Sequence, residues 1–293
     1  MGTKITANIQ KNNLKYKIGF VILHYKVASI TEECIENIMK QDYENFNIVV
    51  VDNFSNNGSL EALQEKYGSN SIVYFVPLEK NYGFAKANDV GYQISKHKFQ
   101  SQIIAVINND LMIENADFCN QVNRICQETH FDILGPDIIN NGGEHQNPLA
   151  GCVTTKEEVD KLIWKSRVKL LVVSIAYGLK KLKKAKNTKR AEVQLFTQRN
   201  VPLHGSCLIF GAGFIKQHEF PFLPDTFLYG EEDILFHMVN KEKLLTVFEP
   251  SVVVRHMEDA STDAIMNTSK EKRLFELKNS IRSLEILKNE LRK

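Results

Sequence analysis

The stretch IIAVINND, from Ile103 to Asp110, is an apolar, largely β-branched run that ends abruptly in two amides and a carboxylate. Near-continuous apolar runs are typical of parallel strands, which are buried on both faces of a sheet. Open α/β sheets bind their ligands beyond the carboxyl ends of the strands. Asp110 is therefore the first candidate for a functional residue, and Asn108 and Asn109 are its neighbours at the same edge.

The same pattern occurs earlier in the chain. NIVVVD, from Asn47 to Asp52, is a second β-branched run that ends in an acid and enters a loop rich in Asn and Ser. Apolar runs at 18–25 and 71–76 and helical patterns at about 30–41, 59–67 and 84–97 complete the alternation. This alternation predicts an α/β fold with a mostly parallel sheet. The structural alternative for Asp52 and Asp110 is that each caps the helix that follows.

The bulk composition is that of a soluble globular protein. The chain has 293 residues, enough for one large α/β domain or two small ones, and 25% of them are charged. Five cysteines without metal-site or disulfide spacing favour reduced core residues in a cytosolic protein. The first residues contain no apolar leader, so we expect no signal peptide. No apolar run reaches the roughly 18 residues of a spanning helix.

The positive charge is concentrated in one segment. Lys161–Arg190 contains eleven Lys and Arg residues and no acid, whereas the rest of the chain is acidic. Its larger apolar residues recur at helical spacing, which predicts a basic amphipathic helix that binds an anionic membrane surface. Nucleic acid is disfavoured, because interleaved stacking aromatics are lacking. The alternative is a solvated, lysine-rich insertion that packs on the domain.

Further motifs follow one another along the chain. They are NYGFAKAN at Asn81–Asn88, GSCLIF at Gly205–Phe210, FLYGEED at Phe227–Asp233, and Arg255-His256 followed by Ser261-Thr262. Together with the acids at the two strand ends, this ordered set resembles family 2 glycosyltransferases. The resemblance is greatest to bacterial rhamnosyltransferase-like enzymes of capsule and O-antigen polysaccharide assembly.

The resemblance implies a GT-A fold, that of nucleotide-diphospho-sugar transferases. The implied parts are a catalytic domain at 17–262 with a nucleotide-binding half at about 17–140, a basic insertion at about 156–199, an acceptor and base half at about 200–262, and a C-terminal amphipathic helix at 263–293. The implied activity is inverting transfer of a sugar from a UDP- or dTDP-sugar donor to a hydroxyl of a glycan. The acceptor would be carried on a polyprenyl diphosphate, and the enzyme would be cytoplasmic, at the inner face of the membrane.

The resemblance assigns a divalent cation, Mn²⁺ or Mg²⁺, to Asp110, and assigns either that cation or the diphosphate to His256. Such a cation neutralises the charge that develops on the departing nucleoside diphosphate. A carboxylate oxygen suits either metal, and an imidazole ligand suits Mn²⁺ better. This chain has Asn108 where many relatives have Asp, which removes one negative charge beside Asn109.

Other residues are expected to contact the nucleotide. By resemblance, Asp52 hydrogen-bonds the base or ribose. Backbone N–H groups near Asn81 and Gly83, with the Lys86 ammonium, could meet phosphate. Tyr25 lies beyond the first strand, where it could stack on the base or pack in the core. The structural alternative for Gly83 is that a glycine is needed there for a backbone conformation with a positive φ.

The catalytic base is expected among three adjacent acids, Glu231, Glu232 and Asp233. Inverting transfer needs one carboxylate to take the proton of the acceptor hydroxyl. By resemblance the base is the second residue of an acidic pair, which favours Glu232 and leaves Asp233 as the alternative. Acids at a helix start also stabilise the helix dipole, which is the structural alternative.

The C-terminal segment is predicted to be an amphipathic helix. Its apolar stripe contains Leu274, Leu277, Ile281, Leu284 and Leu291. We expect it to pack on the catalytic domain, with homodimerisation as the alternative.

Two other functions compete with sugar transfer. A sugar nucleotidyltransferase needs a glycine-rich loop after the first strand, where this chain has HYKVAS. A non-catalytic nucleotide-binding or assembly protein of the same fold is the second.

Overall fold

The computed structural model describes residues 15–176, 195–257 and 269–293. The end of the basic segment and the Ser261-Thr262 pair lie outside these residues. The described strands are β1 (Ile18–His24), β2 (Phe46–Asp52), β3 (Val73–Pro77), β4 (Ile103–Asn108), β5 (Leu111–Met112), β6 (Ile133–Asn140), β7 (Gln198–Arg199), β8 (Cys207–Phe210) and β9 (Thr246–His256). The described helices are α1 (Ala28–Met39), α2 (Ser59–Tyr67), α3 (Phe84–Gln93), α4 (Phe118–Thr129), α5 (Lys156–Ala176), α6 (Ala212–Gln217), α7 (Glu231–Glu242) and α8 (Ser269–Glu290).

The first half of the chain forms the parallel part of one sheet. The order is β3-β2-β1-β4, and the register sets His24 at the end of β1 beside Asp52 at the end of β2. All four strands therefore end at the same edge, and α1, α2 and α3 connect them. The alternation of strands and helices expected from the sequence is confirmed.

The second half of the chain makes the sheet mixed. β8 lies antiparallel between β4 and β6, and β9 runs parallel to β6 and antiparallel to β5. In this register Leu111 lies opposite His256, and the backbone N–H of Met257 donates to the carbonyl oxygen of Asp110 at 2.9 Å. Strand pairing thus brings Asp110 and His256 together from distant parts of the sequence.

Both faces of the sheet are covered by helices, as continuous apolar strands require. Ile18, Phe20 and Ile22 of β1 point to one face, into a cluster with residues of α1, α2 and α4. Val21 points to the other face, into a cluster with residues of α3, α6 and α7. All four side chains are completely buried. The five cysteines are free; Cys34, Cys119, Cys126 and Cys207 are buried, and Cys152 is partly buried.

Asp89 of α3 is a buried carboxyl that holds the segment before α7. Its Oδ1 accepts a hydrogen bond from the backbone N–H of Phe222 at 3.2 Å, while Oδ2 has no hydrogen-bond partner among the described residues. Burial raises the pKa of Asp89 to about 7, and the Phe222 N–H lowers it in part.

We expect Asp89→Asn to stabilise the fold at neutral and higher pH. The pKa of an unfolded aspartate is about 3.9, so between that value and about 7 the folded state binds more protons than the unfolded state. The free energy of unfolding therefore falls as pH rises through this window. Asparagine keeps an oxygen for the Phe222 N–H and cannot ionise. Urea unfolding should show the variant more stable by roughly 1–3 kcal/mol at about pH 8 and by less at about pH 5. An equal difference at both pH values would contradict the raised pKa.

The C-terminal helix packs back on the chain, as its apolar stripe predicted. Val159 and Ile163 of α5, Ile234 of α7 and Leu287 of α8 form a separate buried cluster. At the rim of this cluster, ion pairs join Lys288 to Asp160 and Arg167 to Glu285. No helix in the described part of the chain has the length and apolar character needed to cross a membrane.

Candidate active site

A cavity of about 610 Å³ opens at the carboxyl edge of the sheet. Its walls come from the ends of β1, β2 and β4, the loop before α3, the segment before β8, the start of α7, the end of β9 and one residue of α8. The predicted site residues that line it are Tyr25, Asn81, Gly83, Asn108, Asn109, Asp110, Glu231, Glu232 and His256. The fold therefore brings most of the predicted site together.

Asp110 and His256 face each other in this cavity. His256 Nε2 lies 3.4 Å from Asp110 Oδ1, and Asp110 Oδ1 is buried without a hydrogen-bond partner among the described residues. His256 Nδ1 lies 2.8 Å from Gln146 Oε1. Because an amide oxygen only accepts, Nδ1 carries the hydrogen and a neutral His256 directs its Nε2 lone pair toward Asp110. Two lone pairs that meet in this way need a proton or a cation between them.

The chemistry of this pair fits a divalent cation. A carboxylate oxygen and a neutral imidazole nitrogen are both ligands of Mn²⁺. No cluster of three or more His, Cys, Asp or Glu side chains suited to a metal occurs in the described ranges. The protein would thus supply two ligands, and phosphate oxygens of a bound nucleotide would supply others, a common arrangement for Mg²⁺ sites.

The two asparagines before Asp110 differ in their environment. Asn109 is buried, and its Nδ2 donates to Thr31 Oγ1 at 3.0 Å. Thr31 Oγ1 in turn lies 2.7 Å from Nδ1 of the buried His24. Asn108 is only partly buried and lines the cavity. Asn108 is therefore the better placed of the two to contact a ligand, whereas Asn109 also fixes the strand end to α1.

Asn53 organises the nucleotide side of the cavity, and the sequence reasoning gave it no role. Its Nδ2 donates to Asn81 Oδ1 at 3.1 Å and to the carbonyl oxygen of Gly83 at 3.2 Å. Its Oδ1 accepts from the backbone N–H of Tyr82 at 2.8 Å. Asn81 Oδ1 also accepts from the Gly83 N–H at 2.9 Å. The only sequence signal was the position of Asn53 directly after Asp52.

Two predicted nucleotide contacts lie outside the cavity lining. The Asp52 carboxylate accepts hydrogen bonds from the backbone N–H and the hydroxyl of Ser55, and these hold the loop after β2. Lys86 is exposed, and its ammonium lies 4.6 Å from the centre of the Tyr82 ring. Neither side chain reaches the cavity in this geometry, so their contacts with a nucleotide stay predictions.

The three acids at the start of α7 point in different directions. Glu232 is partly exposed to the cavity, and its Oε1 accepts from the Gly205 N–H at 3.3 Å. Burial raises the pKa of Glu232. Glu231 is 7% exposed, and burial, followed by the Glu232 charge, raises its pKa to about 7. Asp233 Oδ1 accepts from the Val153 N–H at 2.9 Å. Glu232 is thus the acid that is partly exposed at the cavity, and Asp233 is held by a backbone contact; the choice of Glu232 as the base stays a prediction.

His204 lines the cavity, and sequence reasoning missed it because no strand end or acidic motif marks it. Its ring meets that of His256 edge to face, with centroids 5.9 Å apart. Its Nδ1 accepts from the Ser206 N–H at 3.2 Å, which places the hydrogen on Nε2. Burial and the neighbouring His256 lower its pKa to about 4, which Asp110 opposes. His204 is therefore neutral at physiological pH and carries one N–H donor.

Comparison with known sequences identifies the family. The family model described as Glycosyl transferase family 2 matches residues 20–172, just over half of the chain. The chain belongs to glycosyl transferase family 2. This family 2 protein is also similar to Glycosyltransferase GlyG of Streptococcus pneumoniae serotype 4 (strain ATCC BAA-334 / TIGR4), with 30% identity over 98 residues. That match spans 33% of this chain and 32% of GlyG, about a third of each.

Solved structures show the same fold at low sequence identity. The mannosyltransferase PcManGT from Pyrobaculum calidifontis, in complex with GDP-Man and Mn²⁺, has a TM-score of 0.53 at 14% identity, over 95% of this chain and 72% of that one. GalNAc-T7 with UDP, GalNAc and Mn²⁺ has a TM-score of 0.61 at 15% identity, over 94% of this chain and 48% of that one. S. aureus TarS 1–349 in complex with UDP-GlcNAc has a TM-score of 0.55 at 17% identity, over 94% of this chain and 70% of that one. The GT-A fold expected for this family 2 protein is confirmed.

Proposed function

We propose that this family 2 protein is an inverting glycosyltransferase that moves a sugar from a UDP- or dTDP-sugar to a hydroxyl of a glycan. The observation that supports this most directly is the composition of one cavity. The cavity contains Glu232, a carboxylate suited to act as a general base. It also contains Asp110 and His256, a carboxylate and an imidazole suited to bind a metal ion together with a diphosphate. GDP-Man, UDP and UDP-GlcNAc bound to solved structures of this fold agree with a nucleotide-sugar donor.

Glu232 would take the acceptor proton. As the acceptor oxygen attacks the anomeric carbon, a new C–O bond forms and the bond from that carbon to the phosphate oxygen breaks. The proton passes to the Glu232 carboxylate, and the electron pair of the broken bond leaves with the nucleoside diphosphate. The raised pKa of Glu232 makes it a better proton acceptor. Its contact with the Gly205 N–H fixes one carboxylate oxygen at the cavity.

Asp110 and His256 would hold the divalent cation together with the donor diphosphate. A bound cation stabilises negative charge on the leaving group. The neutral His204, two residues before Ser206 and against His256, adds a hydrogen-bond donor to the same wall without adding charge. Asn53 sets the conformation of the Asn81–Gly83 loop. The Tyr82 and Gly83 N–H groups already donate to Asn53 Oδ1 and Asn81 Oδ1, so the expected contact of these backbone groups with phosphate is not supported by this geometry.

The acceptor side of the cavity is formed by Phe227, before α7, and Phe275 of α8. Their ring centroids are 6.2 Å apart in an edge-to-face arrangement. Aromatic walls suit the apolar faces of sugar rings, and this supports a glycan acceptor. A lipid-linked repeat unit of a capsule-type polysaccharide, met at the cytoplasmic face of the membrane, is the acceptor that completes the proposal.

Asp110→Asn is expected to weaken Mn²⁺ binding in the presence of UDP by at least about tenfold and to abolish turnover of the donor. The amide keeps the shape of the side chain but loses the anionic ligand that faces His256. Mn²⁺ titration by electron paramagnetic resonance and hydrolysis of UDP-, dTDP- and GDP-sugars, with and without a glycan acceptor, measure both effects. Asp117→Asn is the matched control, because Asp117 is exposed outside the cavity.

The same assays separate the two candidate functions. Turnover of one donor by the wild type, lost in Asp110→Asn and kept in Asp117→Asn, would establish the transferase and identify its nucleotide. Tight nucleotide binding without turnover of any donor, even with acceptors present, would favour the non-catalytic alternative. Mn²⁺ binding that survives Asp110→Asn unchanged would contradict the metal assignment.

A further inference from the structure

The outer face of α5, defined by Trp164, Val168, Leu171 and Val172, is an unusual concentration of exposed apolar surface. These side chains are 66%, 42%, 61% and 56% exposed, respectively. They follow i, i+4, i+7, i+8 spacing, so they lie on one side of the helix. In the described part of the chain, eleven large hydrophobic side chains are exposed, and four of them lie within these nine residues. Single exposed apolar residues are ordinary, whereas a contiguous patch marks an interaction site.

The outer face is not needed to hold α5 in place. The opposite side of the helix buries Val159 and Ile163 against Leu287 of α8 and Ile234 of α7. Arg167 pairs with Glu285 of α8 at 2.6 Å. Packing of α5 on the protein is therefore complete on one side, and the apolar residues of the outer face serve some other contact.

A row of lysines borders the outer face. Lys161, Lys165 and Lys169 recur at i, i+4, i+8, and all three are exposed. None of them forms an ion pair with a residue in the described ranges. From Lys161 to Ala176 the helix carries no acidic residue. The partner of this face is therefore both apolar and negatively charged.

We propose that the outer face of α5 binds the interface of an anionic lipid bilayer, with Val168, Leu171 and Val172 against the acyl chains, and with Trp164 and the lysines at the headgroups. Apolar residues that alternate with basic ones on a single helix are suited to this environment, and Trp favours the headgroup level. Anionic lipids supply the complementary charge. A folded protein partner would need its own apolar and acidic surface of matching shape.

The same helix pair connects the membrane to the cavity. α8 packs on α5 through Leu287 and places Phe275 in the cavity wall. Binding of α5 at the bilayer would therefore fix the orientation of the acceptor side of the cavity relative to the lipid surface. The docking does not depend on catalysis, whereas the delivery of a lipid-linked acceptor to this wall rests on the proposed function.

Sedimentation of the full chain with vesicles tests the docking. The probes are vesicles of phosphatidylcholine alone and of phosphatidylcholine mixed with phosphatidylglycerol. Wild type should sediment with the anionic vesicles, and both Trp164→Ser/Leu171→Ser and Lys161→Glu/Lys165→Glu/Lys169→Glu should reduce the partition coefficient by about tenfold or more. These side chains are exposed, so we expect the variants to fold, and circular dichroism checks this.

Matched controls make the same chemical changes elsewhere. Lys40→Glu/Lys216→Glu/Lys241→Glu reverses as many exposed charges, and Tyr74→Ser/Phe220→Ser removes exposed aromatic surface. Both controls should bind vesicles far better than the α5 variants. Equal binding by the α5 variants and wild type, or no binding by wild type, would overturn the proposal. So would a wild-type dimer that dissociates in the α5 variants without any lipid binding. Turnover of a water-soluble acceptor is expected to be the same in wild type and the α5 variants, so loss of docking is distinguishable from failure of the proposed function.

Discussion

Glu232→Gln is expected to lower the rate of sugar transfer by about 10²–10⁴-fold, the usual contribution of a general base. The amide keeps an oxygen for the Gly205 N–H, so the fold and the position of the side chain should persist. It cannot take the proton of the acceptor hydroxyl. The loss should therefore fall on kcat, while the affinity for the nucleotide sugar stays close to that of wild type. Steady-state kinetics with a glycan acceptor and calorimetric titration of the nucleotide measure the two quantities.

The neighbouring acids are the controls for this result. Glu231→Gln changes a carboxyl that is almost completely buried, and Asp233→Asn changes one that binds the Val153 N–H. Each should reduce transfer much less than Glu232→Gln does. A loss of kcat in Asp233→Asn as large as that in Glu232→Gln, with an unchanged free energy of unfolding, would move the base to Asp233.

Gly83→Ala is expected to destabilise the protein by at least about 2 kcal/mol and to abolish nucleotide binding. Gly83 has a φ of +82°, and a Cβ there would lie 2.3 Å from the carbonyl oxygen of Phe227. That oxygen accepts a hydrogen bond from the Phe84 N–H at 2.6 Å, so it cannot move away without breaking the start of α3. Urea unfolding and nucleotide titration measure the two effects.

Gly58→Ala is the control for a positive φ without a steric clash, at a ψ of −3° that is less restrictive than the −169° of Gly83. Gly58 has nearly the same φ, +81°, and a Cβ there would meet no heavy atom within 4 Å. This variant should lose only the cost of a left-handed conformation, about 1 kcal/mol, and keep nucleotide binding. Equal destabilisation by both substitutions would show that the contact between Gly83 and Phe227 is not what matters.

Much of the fold followed from short-range patterns. β-branched runs that stop at polar residues predicted β1, β2 and β4, because burial on both faces leaves no polar positions within such strands. The same logic placed Asp110 and Asn108 at the carboxyl edge, where the cavity lies. The apolar spacing of the last segment predicted α8, and its packing on α5 followed from the need to bury that stripe.

The remaining features depend on contacts between distant parts of the chain. Neither the antiparallel insertion of β8 nor the pairing of β5 with β9 has a local sequence signal. His204 enters the cavity only because of that insertion. The direction of each acid after β2 and in α7 was equally inaccessible, since local hydrogen bonds turn Asp52 to Ser55 and Asp233 to Val153. A sequence pattern predicts which residue type lies at the edge of the sheet. It does not predict which hydrogen-bond partner that side chain will have.

The position of β9 in the chain has a consequence for synthesis on the ribosome. β9 is the last strand of the described residues, and it pairs with β6 along Ile133–Asn140 as well as with β5. Until β9 has emerged, the β6 edge exposes unpaired backbone groups that can bind other nascent chains. Asp110 and His256 can likewise come together only after β9 has emerged. β9 thus both supplies His256 to the site and covers the edge of β6 against aggregation. A chain interrupted before β9 would lack the histidine and the covered edge.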